Sequence, residues 1–500
     1  MRWNGFYINI KSMKTDIAKR SEEKDLIRKL EGMAEVLILT VLYFYIWKTR
    51  YSVMYVRTFY GRGRIVMMGI YFIIMYVIMF LTEGLRFGNL KLFDVVVSQW
   101  ISVIVTNFIT FWQICLILNI MTDPVPMLWL TLLDLGITVV LPFIFTWIYH
   151  LTYVPRDMVL VYGKRNALNL RFKILERPDK YAVTSTISSS EPFDKIKDQL
   201  LSHDAVIIND VPAEIRNDIL KFCYEKDIRT YIVPKISDVI IGGASNINLF
   251  DTPLLLVRGT GLSIGQKAVK RFLDIVFSAL AIGVLSPVFL ITAIAIKAED
   301  GGSVFFRQKR VTRDGRIFTI LKFRSMHEDA EKYGAQLTVD NDPRITRVGR
   351  FIRRCRIDEL PQLINIIRGD MSIVGPRPER IENYELYEKE IPEFRYRTKV
   401  KAGLTGYAQV YGKYNTTAYD KLRLDLMYIE NYSIILDIKL VLMTFRTLFQ
   451  KESTQGFEES FLETTDEGSG EKSVGNSFGD SGLDSKTGDS LGNLSGVDKK

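Results

Sequence analysis

Four long apolar stretches in the first third of the chain constrain its fold more than any other feature. They lie at about residues 33–47, 65–82, 95–119 and 127–149. A helix needs about 20 apolar residues to cross the hydrocarbon core of a bilayer, so the last three are long enough and the first is marginal. The 47% hydrophobic content and positive mean hydropathy of +0.08 are also too high for a purely soluble protein. We therefore predict a four-helix transmembrane region over residues 33–154.

Charges around these stretches bear on the orientation of the chain. Residues 1–32 are polar and basic and lack an apolar run followed by a small-residue cleavage site, so we predict a cytosolic N-terminal segment without a removable signal peptide. The loop 119–127 has no Lys or Arg, which suits an outside loop, but residues 48–64 carry five and would also lie outside if all four stretches span the membrane. We favour four spans with both ends in the cytosol.

After Pro155 the pattern changes to short apolar runs that alternate with charged helical segments, which is typical of a parallel α/β domain. We predict a Rossmann-like domain over residues 155–262. Its predicted strands are 158–162, 181–187, 205–208 and 231–234, and its predicted helices end at about residue 175 and span 213–226.

The turn after the first of these strands does not carry the glycine pattern of a dinucleotide site. If Gly163 is taken as the first glycine, Arg165 and Leu168 stand where the second and third glycines belong. We favour a structural or regulatory domain here. Binding of a nucleotide through Lys164 and Arg165, and a cofactor-dependent reaction, stay open as alternatives.

A fifth apolar run, from Phe272 to Ile296, carries Ser286-Pro287 near its middle and basic residues at both ends. Proline removes a backbone hydrogen bond, so a helix bends or breaks there. The Ser286 hydroxyl can satisfy a carbonyl freed in this way. Because basic flanks at both ends favour entry and return on one side, we predict a re-entrant helix at about 270–297, with a kinked span as the alternative.

Two adjacent carboxylates, Asp358 and Glu359, follow the most basic part of the chain. Residues 307–356 contain fourteen Lys and Arg against six Asp and Glu, so much of the net charge of +9 lies beside this pair. Anionic lipid headgroups and a phosphorylated substrate are better partners for such a region than a nucleic acid. One carboxylate can attack phosphorus while the other holds a divalent cation. A structural alternative is the first turn of a helix, where the dipole favours carboxylates.

Residues 267–449 resemble the bacterial sugar transferase family, the polyprenyl-phosphate hexose-1-phosphate transferases, also called monotopic phosphoglycosyl transferases. The matching features, in order, are the basic-flanked helix with Ser286-Pro287 and the motifs at 321–326, 342–349, 358–362 and 374–378. The four preceding spans and the α/β domain are similar in architecture to the larger members of the family. Those members initiate the synthesis of O-antigen, capsule or exopolysaccharide.

This resemblance implies transfer of a sugar 1-phosphate from a UDP-sugar to undecaprenyl phosphate, with release of UMP and a requirement for Mg²⁺. It also implies a multi-pass protein of the bacterial plasma membrane whose mostly helical catalytic domain, residues 263–450, lies on the cytoplasmic face. Galactose and glucose are the first expectations for the sugar, with an N-acetylated or dideoxy sugar as the next alternatives, and a homo-oligomer is compatible with the sequence. A membrane-anchored nucleotide-sugar oxidoreductase or dehydratase and a non-enzymatic scaffold for polysaccharide assembly are the alternative functions.

The resemblance also assigns roles to individual residues. Asp358 would form the covalent phosphosugar intermediate, Glu359 would bind Mg²⁺, and Arg353 would bind substrate phosphate. A diphosphate beside two carboxylates needs cations, and the candidates are Lys322, Arg324, Arg353 and Arg377.

Other parts of this region are open to more than one interpretation. Asp425 either assists near the metal or sugar or forms a surface salt bridge, and residues 375–378 could form merely a rigid turn. Helices predicted at 381–389 and 438–449 have apolar faces suited to the membrane interface. The last segment, 451–500, is rich in Gly, Ser, Asp and Glu, and we predict that it is disordered. The remaining arginines of the basic segment are predicted to face lipid headgroups or solvent: Arg350, Arg354 and Arg356.

Overall fold

The structure is a computed structural model, and it describes residues 26–54, 62–88, 90–152, 155–163, 168–259, 261–327, 342–413 and 416–447. Three predictions lie outside the described residues. They concern most of the N-terminal segment, the nucleotide contact through Lys164 and Arg165, and the polar tail 451–500.

The N-terminal part of the chain is helical, as the apolar stretches predict. Its four helices are α1 (Leu26–Met54), α2 (Arg62–Leu81), α3 (Leu92–Leu118) and α4 (Val125–Thr152). All four are long and apolar enough to cross a membrane. The described part of the first, Leu26–Met54, extends beyond its apolar run on both sides and includes a π-turn and a 3-10 turn from Trp47 to Met54. Their orientation and exact arrangement in a bilayer stay predictions.

Polar side chains join these helices in the interior. The Tyr71 hydroxyl donates to Asn107 Oδ1 at 2.8 Å, and Asn107 Nδ2 donates to Asp134 Oδ2 at 3.2 Å. Gln99 Nε2 likewise donates to Glu35 Oε2 at 2.8 Å. Polar groups in an apolar surrounding need partners from neighbouring helices, so these bonds specify which faces of α1 to α4 meet.

The next region has the parallel α/β arrangement that its alternating pattern predicts. A parallel sheet with strand order β2-β1-β3-β4 is formed by β1 (Arg156–Tyr162), β2 (Tyr181–Ser188), β3 (Ala205–Asn209) and β4 (Arg229–Ile232). The helices are α5 (Leu168–Leu175), α6 (Phe193–Ser202), α7 (Ala213–Glu225) and α8 (Ile236–Gly242). An exposed hairpin of β5 (Ser245–Leu249) and β6 (Thr252–Leu256) follows. Helices α6 and α8 and this hairpin were not among the predicted elements.

Gly163, the glycine that could have begun a dinucleotide fingerprint, has a different role in the structure. A Cβ atom at this position would lie 2.1 Å from the backbone oxygen of Asp210. The glycine therefore lets the loop after β1 pack directly against the loop after β3. Nothing in this contact requires a pyrophosphate.

The fifth apolar helix, α9 (Ile264–Asp300), corrects one expectation. Its 37 residues are helical throughout, so Ser286-Pro287 does not interrupt the helix. The carbonyl that Pro287 leaves without its usual donor belongs to Gly283, and the Ser286 hydroxyl donates to it at 2.8 Å. The predicted role of Ser286 is thus present while the predicted break is not. A re-entrant path through the membrane stays a prediction.

The C-terminal region mixes helices with short strands. Its strands are β7 (Phe305–Val311), β8 (Ile317–Phe323), β9 (Met371–Val374) and β10 (Ala402–Thr405), with β7 antiparallel to β8 and β9 parallel to β10. Its helices are α10 (Arg347–Arg354), α11 (Gln362–Arg368), α12 (Ile381–Glu390), α13 (Tyr407–Tyr411), α14 (Ala418–Glu430) and α15 (Ile434–Thr447). The prediction of a mostly helical domain did not include the β7–β8 hairpin, because charged residues in β7 interrupt the apolar pattern of a strand.

Helix α15 also differs from its prediction. It packs against α2 and α3 of the N-terminal region, and Leu440 and Met443 on its inner face are fully buried. Part of the apolar face expected at the membrane interface is therefore covered by protein. This contact joins the N-terminal helices to the C-terminal region.

Candidate active site

The Asp358-Glu359 pair lies in a tight turn between two helices. Helix α10 ends at Arg354, and Arg356 then adopts a left-handed conformation with φ of 54°. This conformation, which is uncommon for a residue with a side chain, redirects the chain into a 3-10 turn over Ile357–Glu359. The pair is therefore at a fixed corner of the backbone, not in the first turn of an α-helix.

The C-terminal end of α9 holds the helix that leads into this corner. The Glu299 carboxylate accepts hydrogen bonds from the backbone N–H groups of Arg347 at 2.7 Å and Val348 at 3.2 Å, at the start of α10. Acidic residues at a helix C-terminus interact unfavourably with the helix dipole. The Glu299-Asp300 pair at the end of α9 therefore indicated that each carboxylate has a cation or an N–H group as partner.

Arg324 is the predicted substrate residue that the structure places in the interior. It is buried and forms an ion pair with Asp300. It also packs closely against Gly302, because a Cβ atom on that glycine would lie 2.2 Å from Arg324 Nη1. The guanidinium thus fastens the strand end after β8 to the end of α9. In this arrangement Arg324 supports the site and does not face it, which corrects the expected contact with substrate.

Glu359 is the most strongly paired carboxylate of the site. Lys322 Nζ, from β8, donates to Glu359 Oε1 at 2.8 Å, and Arg377 Nη2 donates to the same oxygen at 3.0 Å. Arg356 Nη1 lies 4.0 Å from Oε2, so Arg356 faces the site and not lipid or solvent as expected. Burial alone would raise the pKa of Glu359, but Lys322 and Arg377 outweigh it and hold the pKa far below its usual range.

Asp358 has a contrasting environment. It is partly buried, and among the described residues no donor forms a hydrogen bond to its carboxylate. Burial raises its pKa, the charge of Lys322 opposes this, the neighbouring Glu359 charge raises it further, and the net result is a pKa above the ordinary aspartate value. An anion without hydrogen bonds, surrounded by cations, is a carboxylate available for reaction.

Arg377 is held in place from behind by a buried arginine. Arg397 donates to the Arg377 backbone oxygen at 2.9 Å and forms ion pairs with Asp425 at 2.8 Å and Glu379 at 3.3 Å. Asp425 thus forms a salt bridge, as one of its two predicted roles required, but this bridge is buried and not on the helix surface. Assistance near the metal or sugar stays a prediction. Burial and the nearby Glu379 charge, opposed by Arg397, raise the pKa of Asp425 to about 6. The sequence carried no signal for Arg397.

The turn that carries Arg377 is fixed by backbone hydrogen bonds and close packing. Gly375 N–H donates to the Thr405 oxygen at 2.8 Å, and Gly403 N–H donates to the Pro376 oxygen at 2.9 Å. A Cβ atom on Gly375 would lie 2.3 Å from the Lys401 oxygen. The two interpretations of residues 375–378 are thus compatible, because a closely packed turn presents an arginine to Glu359.

The arginines of α10 differ in exposure. Arg353 is half-buried, and its positive charge helps to lower the pKa of Asp342 and opposes the rise in the pKa of Asp358. Arg350, Arg354 and the neighbouring Phe351 are exposed. The exposure of Arg350 and Arg354 agrees with their predicted outward direction, and a contact of Arg353 with substrate phosphate stays a prediction.

The donor set is compatible with one Mg²⁺ shared with substrate. Within the part of the chain that the structure describes, no group of three or more His, Cys, Asp or Glu residues could form a closed metal site. Magnesium is commonly bound by one or two carboxylates together with substrate phosphates and water. Glu359 meets this requirement because its low pKa keeps it anionic and its Oε2 atom has no cation within hydrogen-bonding distance among the described residues.

Comparison with known proteins places this site in a family. Residues 265–451 match the bacterial sugar transferase family. An undecaprenyl-phosphate glucose-1-phosphate transferase from Caulobacter vibrioides is 41% identical over 189 residues, which cover 37% of this chain and 71% of that protein. The chain belongs to the bacterial sugar transferase family, and the resemblance predicted over residues 267–449 is confirmed.

Two longer relatives match a larger part of the chain. A UDP-N-acetylgalactosamine-undecaprenyl-phosphate N-acetylgalactosaminephosphotransferase from Aeromonas hydrophila is 40% identical over 309 residues, 59% of this chain and 67% of that protein. A UDP-glucose:undecaprenyl-phosphate glucose-1-phosphate transferase from Klebsiella pneumoniae is 34% identical over 256 residues, 50% of this chain and 53% of that protein. The match thus spans about half of the Klebsiella relative.

Proposed function

We propose that this protein transfers a sugar 1-phosphate from a UDP-sugar to undecaprenyl phosphate and releases UMP. The observation that carries the proposal is the contrast within the Asp358-Glu359 pair: Glu359 is held by Lys322 and Arg377, whereas Asp358 has no hydrogen bond among the described residues. The relatives named for undecaprenyl-phosphate sugar transfer give the same direction. The product would be the first lipid-linked intermediate of a surface polysaccharide.

The reaction has two displacement steps at one phosphorus atom. An Asp358 oxygen attacks the phosphorus that bears the sugar, the bond to the bridging oxygen breaks, and UMP leaves with the electron pair. A phosphate oxygen of undecaprenyl phosphate then attacks the phosphosugar on Asp358, and the carboxylate leaves. Both attacking groups are already anionic, so neither step needs a general base.

Positive charge at the site lowers the barrier to an anion attacking an anion. Lys322 and Arg377 form ion pairs with Glu359, and Arg353 adds positive charge near Asp358. Fixed cations stabilise charge that develops on the diphosphate without first having to reorganise. Bound Mg²⁺ would supply further charge neutralisation there, and Glu359 is the residue that would hold it.

The proposed setting is the cytoplasmic face of the bacterial plasma membrane. Among the described residues, five helices are long and apolar enough to span, and they include α9, whose end directly positions the catalytic corner. A site fixed to a membrane helix can meet both a soluble nucleotide sugar and a lipid phosphate. The re-entrant path of α9 and the cytoplasmic orientation belong to this proposal.

The relatives do not agree on the sugar, since their names give N-acetylgalactosamine in one case and glucose in others. We propose glucose, galactose or an N-acetylated hexose as the donor sugar. Release of UMP from each member of a panel of UDP-sugars, with undecaprenyl phosphate present, identifies it.

Asp358→Asn tests the function most directly. The amide cannot form the phosphosugar intermediate, so we expect turnover to fall by at least about 10⁴-fold. Incubation with UDP-sugar labelled in the sugar, without acceptor, should give a labelled protein for the unmodified enzyme and none for the variant. A labelled Asp358→Asn protein would overturn the assignment of the nucleophile.

The matched control is Asp194→Asn, which removes a carboxylate from an exposed ion pair with Lys197 in the α/β region. It should label and turn over as the unmodified protein does. If the unmodified protein releases no UMP from any UDP-sugar, the proposed reaction itself is wrong.

A further inference from the structure

Glu83, in the turn between the membrane helices α2 and α3, is a buried carboxylate with three cationic partners. Its side chain is only 2% exposed, and its backbone has a left-handed φ of 62°. Burying a carboxylate is costly unless cations and hydrogen bonds compensate it. The partners of Glu83 therefore explain why it can be there at all.

Most of those partners come from the catalytic region. Lys439 Nζ donates to Glu83 Oε1 at 2.7 Å, the Tyr411 hydroxyl donates to the same oxygen at 3.0 Å, and Arg446 Nη1 lies 3.9 Å from Oε2. Arg86, in the same turn, adds an ion pair at 3.0 Å. Although burial raises the pKa of Glu83, the bond and charge of Lys439 and its other partners lower it overall, so this carboxylate is ionised.

The Tyr411 contact is linked to the catalytic corner by a short stretch of chain and one close backbone contact. Tyr411 is the last residue of α13, which follows β10 directly after Gly406. A Cβ atom on Gly406 would lie 2.1 Å from the Gly375 oxygen, so the two backbones are in direct contact. Arg377 is two residues beyond Gly375 and donates to Glu359.

Helix α15 gives a second connection between the same two places. It carries Lys439 and Arg446, and its Thr444 hydroxyl lies 2.6 Å from the Thr405 hydroxyl at the end of β10. The Thr405 backbone oxygen accepts from Gly375 N–H. Both elements that bind Glu83 therefore also touch the backbone that holds the Arg377 turn.

We propose that Glu83 is a positioning residue for phosphosugar transfer, which acts through α13 and α15 to hold Arg377 at Glu359. The inference rests on the proposed function and gives the N-terminal membrane region a part in catalysis beyond anchoring. A displacement of a catalytic group by about 1 Å can reduce a rate by about 10²-fold, so a distant support of this kind has a measurable effect.

The kinetic test is a double-mutant cycle between Glu83→Gln and Arg377→Met in the full-length protein. Glu83→Gln keeps the side-chain size but removes the charge, and we expect kcat to fall about tenfold with KM for the UDP-sugar changed by less than about twofold. In the Arg377→Met background the same substitution should change kcat by less than about twofold, because its target is already absent. Equal losses of kcat in both backgrounds would overturn the proposal.

A second variant covers the case in which Glu83→Gln does not fold. Tyr411→Phe removes one hydroxyl and leaves every ion pair of Glu83 intact, and we expect a kcat loss of about threefold that also disappears in the Arg377→Met background. Glu191→Gln, in an exposed ion pair with Lys195, is the matched control and should leave kcat unchanged.

A structural readout separates this inference from the proposed function. Hydrogen–deuterium exchange of the full-length protein in detergent should be faster over residues 371–378 in Glu83→Gln and Tyr411→Phe, and unchanged in Glu191→Gln. Unchanged exchange there in the first two variants would overturn the link even if the enzyme is active. If the unmodified protein has no transferase activity but the exchange responds, the proposed reaction fails while the link between the regions stands.

Discussion

Two clusters of paired acidic and basic side chains lie on either side of the Arg377 turn and differ in exposure. The outer cluster consists of Asp358, Glu359, Lys322 and Arg377, and the inner cluster consists of Arg397, Asp425 and Glu379. In the outer cluster the Glu359 side chain is 12% exposed and that of its partner Arg377 is 45% exposed. In the inner cluster Arg397 is 4% exposed and its partner Asp425 is 1% exposed. The outer cluster can therefore exchange its ion pairs for a ligand, whereas the inner cluster is closed.

This difference assigns the clusters different tasks. Fully buried charges are expensive to desolvate, and removing one partner leaves the other uncompensated. The inner cluster must therefore stay paired, and it fixes the Arg377 backbone through Arg397. The outer cations can leave Glu359 for an anionic ligand, such as the diphosphate of the proposed substrate, because water partly solvates both states. Two substitutions of the same kind, one in each cluster, test this division.

Arg397→Met should have the larger effect and should act on stability. The substitution leaves Asp425 and Glu379 buried without their shared cation, so we expect a loss of about 3–5 kcal/mol in the free energy of unfolding. Denaturant titration of the detergent-solubilised protein, followed by tryptophan fluorescence, measures it. Lys195→Met, in an exposed ion pair, is the control and should stay within about 0.5 kcal/mol. A loss for Arg397→Met no larger than the control would contradict a closed inner cluster.

Arg377→Met should show the opposite pattern. Glu359 keeps Lys322 and is partly hydrated, so we expect the free energy of unfolding to change by less than about 1 kcal/mol. The rate of UMP release should fall by about 10²–10³-fold, as when a charge-stabilising donor is removed from other enzymes. Initial rates with the same UDP-sugar, compared at equal folded protein, measure it. A stability loss as large as that of Arg397→Met would erase the distinction between the clusters.

The outer cluster was largely predictable from the sequence, and the inner one was not. Asp358, Glu359, Lys322 and Arg377 lie in ordered motifs whose residue types state their chemistry. Arg397 lies in a run of alternating aromatic and basic residues, and its burial follows only from the packing of α14 against the Pro392–Lys399 turn. A sequence pattern shows which groups are charged, but tertiary packing decides which are enclosed.

The same limit explains the corrections to individual residues. Arg324 stands in the motif at 321–326 that resembles the family, yet its guanidinium is bound by Asp300, which is 24 positions away along the chain. Asp425 lies on a helix whose charges suggested an outward face. Both assignments needed to know which surface each element covers.

The fold itself divides in a similar way. The strands of the parallel sheet were predicted within a few residues because β1 and β3 are buried on both faces and consist of continuous apolar runs. The β7–β8 hairpin was missed because Arg307, Lys309 and Arg310 interrupt its apolar pattern. Helix α9 was predicted to bend or break at Pro287, but the helix continues through this residue, and the Ser286 hydroxyl donates to the freed Gly283 oxygen as predicted.

The smallest expected effect concerns the pH dependence within the outer cluster. The folded pKa of Asp358 lies above the ordinary aspartate value, so phosphosugar formation should be lost as the pH falls through that raised pKa and Asp358 is protonated. Glu359 cannot cause this loss, because its pKa is far below its usual range and it stays ionised throughout the same interval.

Glu359→Gln should therefore move the acid limb to lower pH. The substitution removes the negative neighbour that raises the Asp358 pKa and leaves Lys322 and Arg377 to act on Asp358 alone, and both changes lower that pKa. The rate of protein labelling with UDP-sugar alone should be measured, because the lipid phosphate has its own ionisation near pH 6. Glu191→Gln should leave the limb in place. An acid limb that stays fixed or moves to higher pH in Glu359→Gln would show that Asp358 is not the group whose protonation stops the reaction, and the contrast between the two carboxylates would then have to be reassigned.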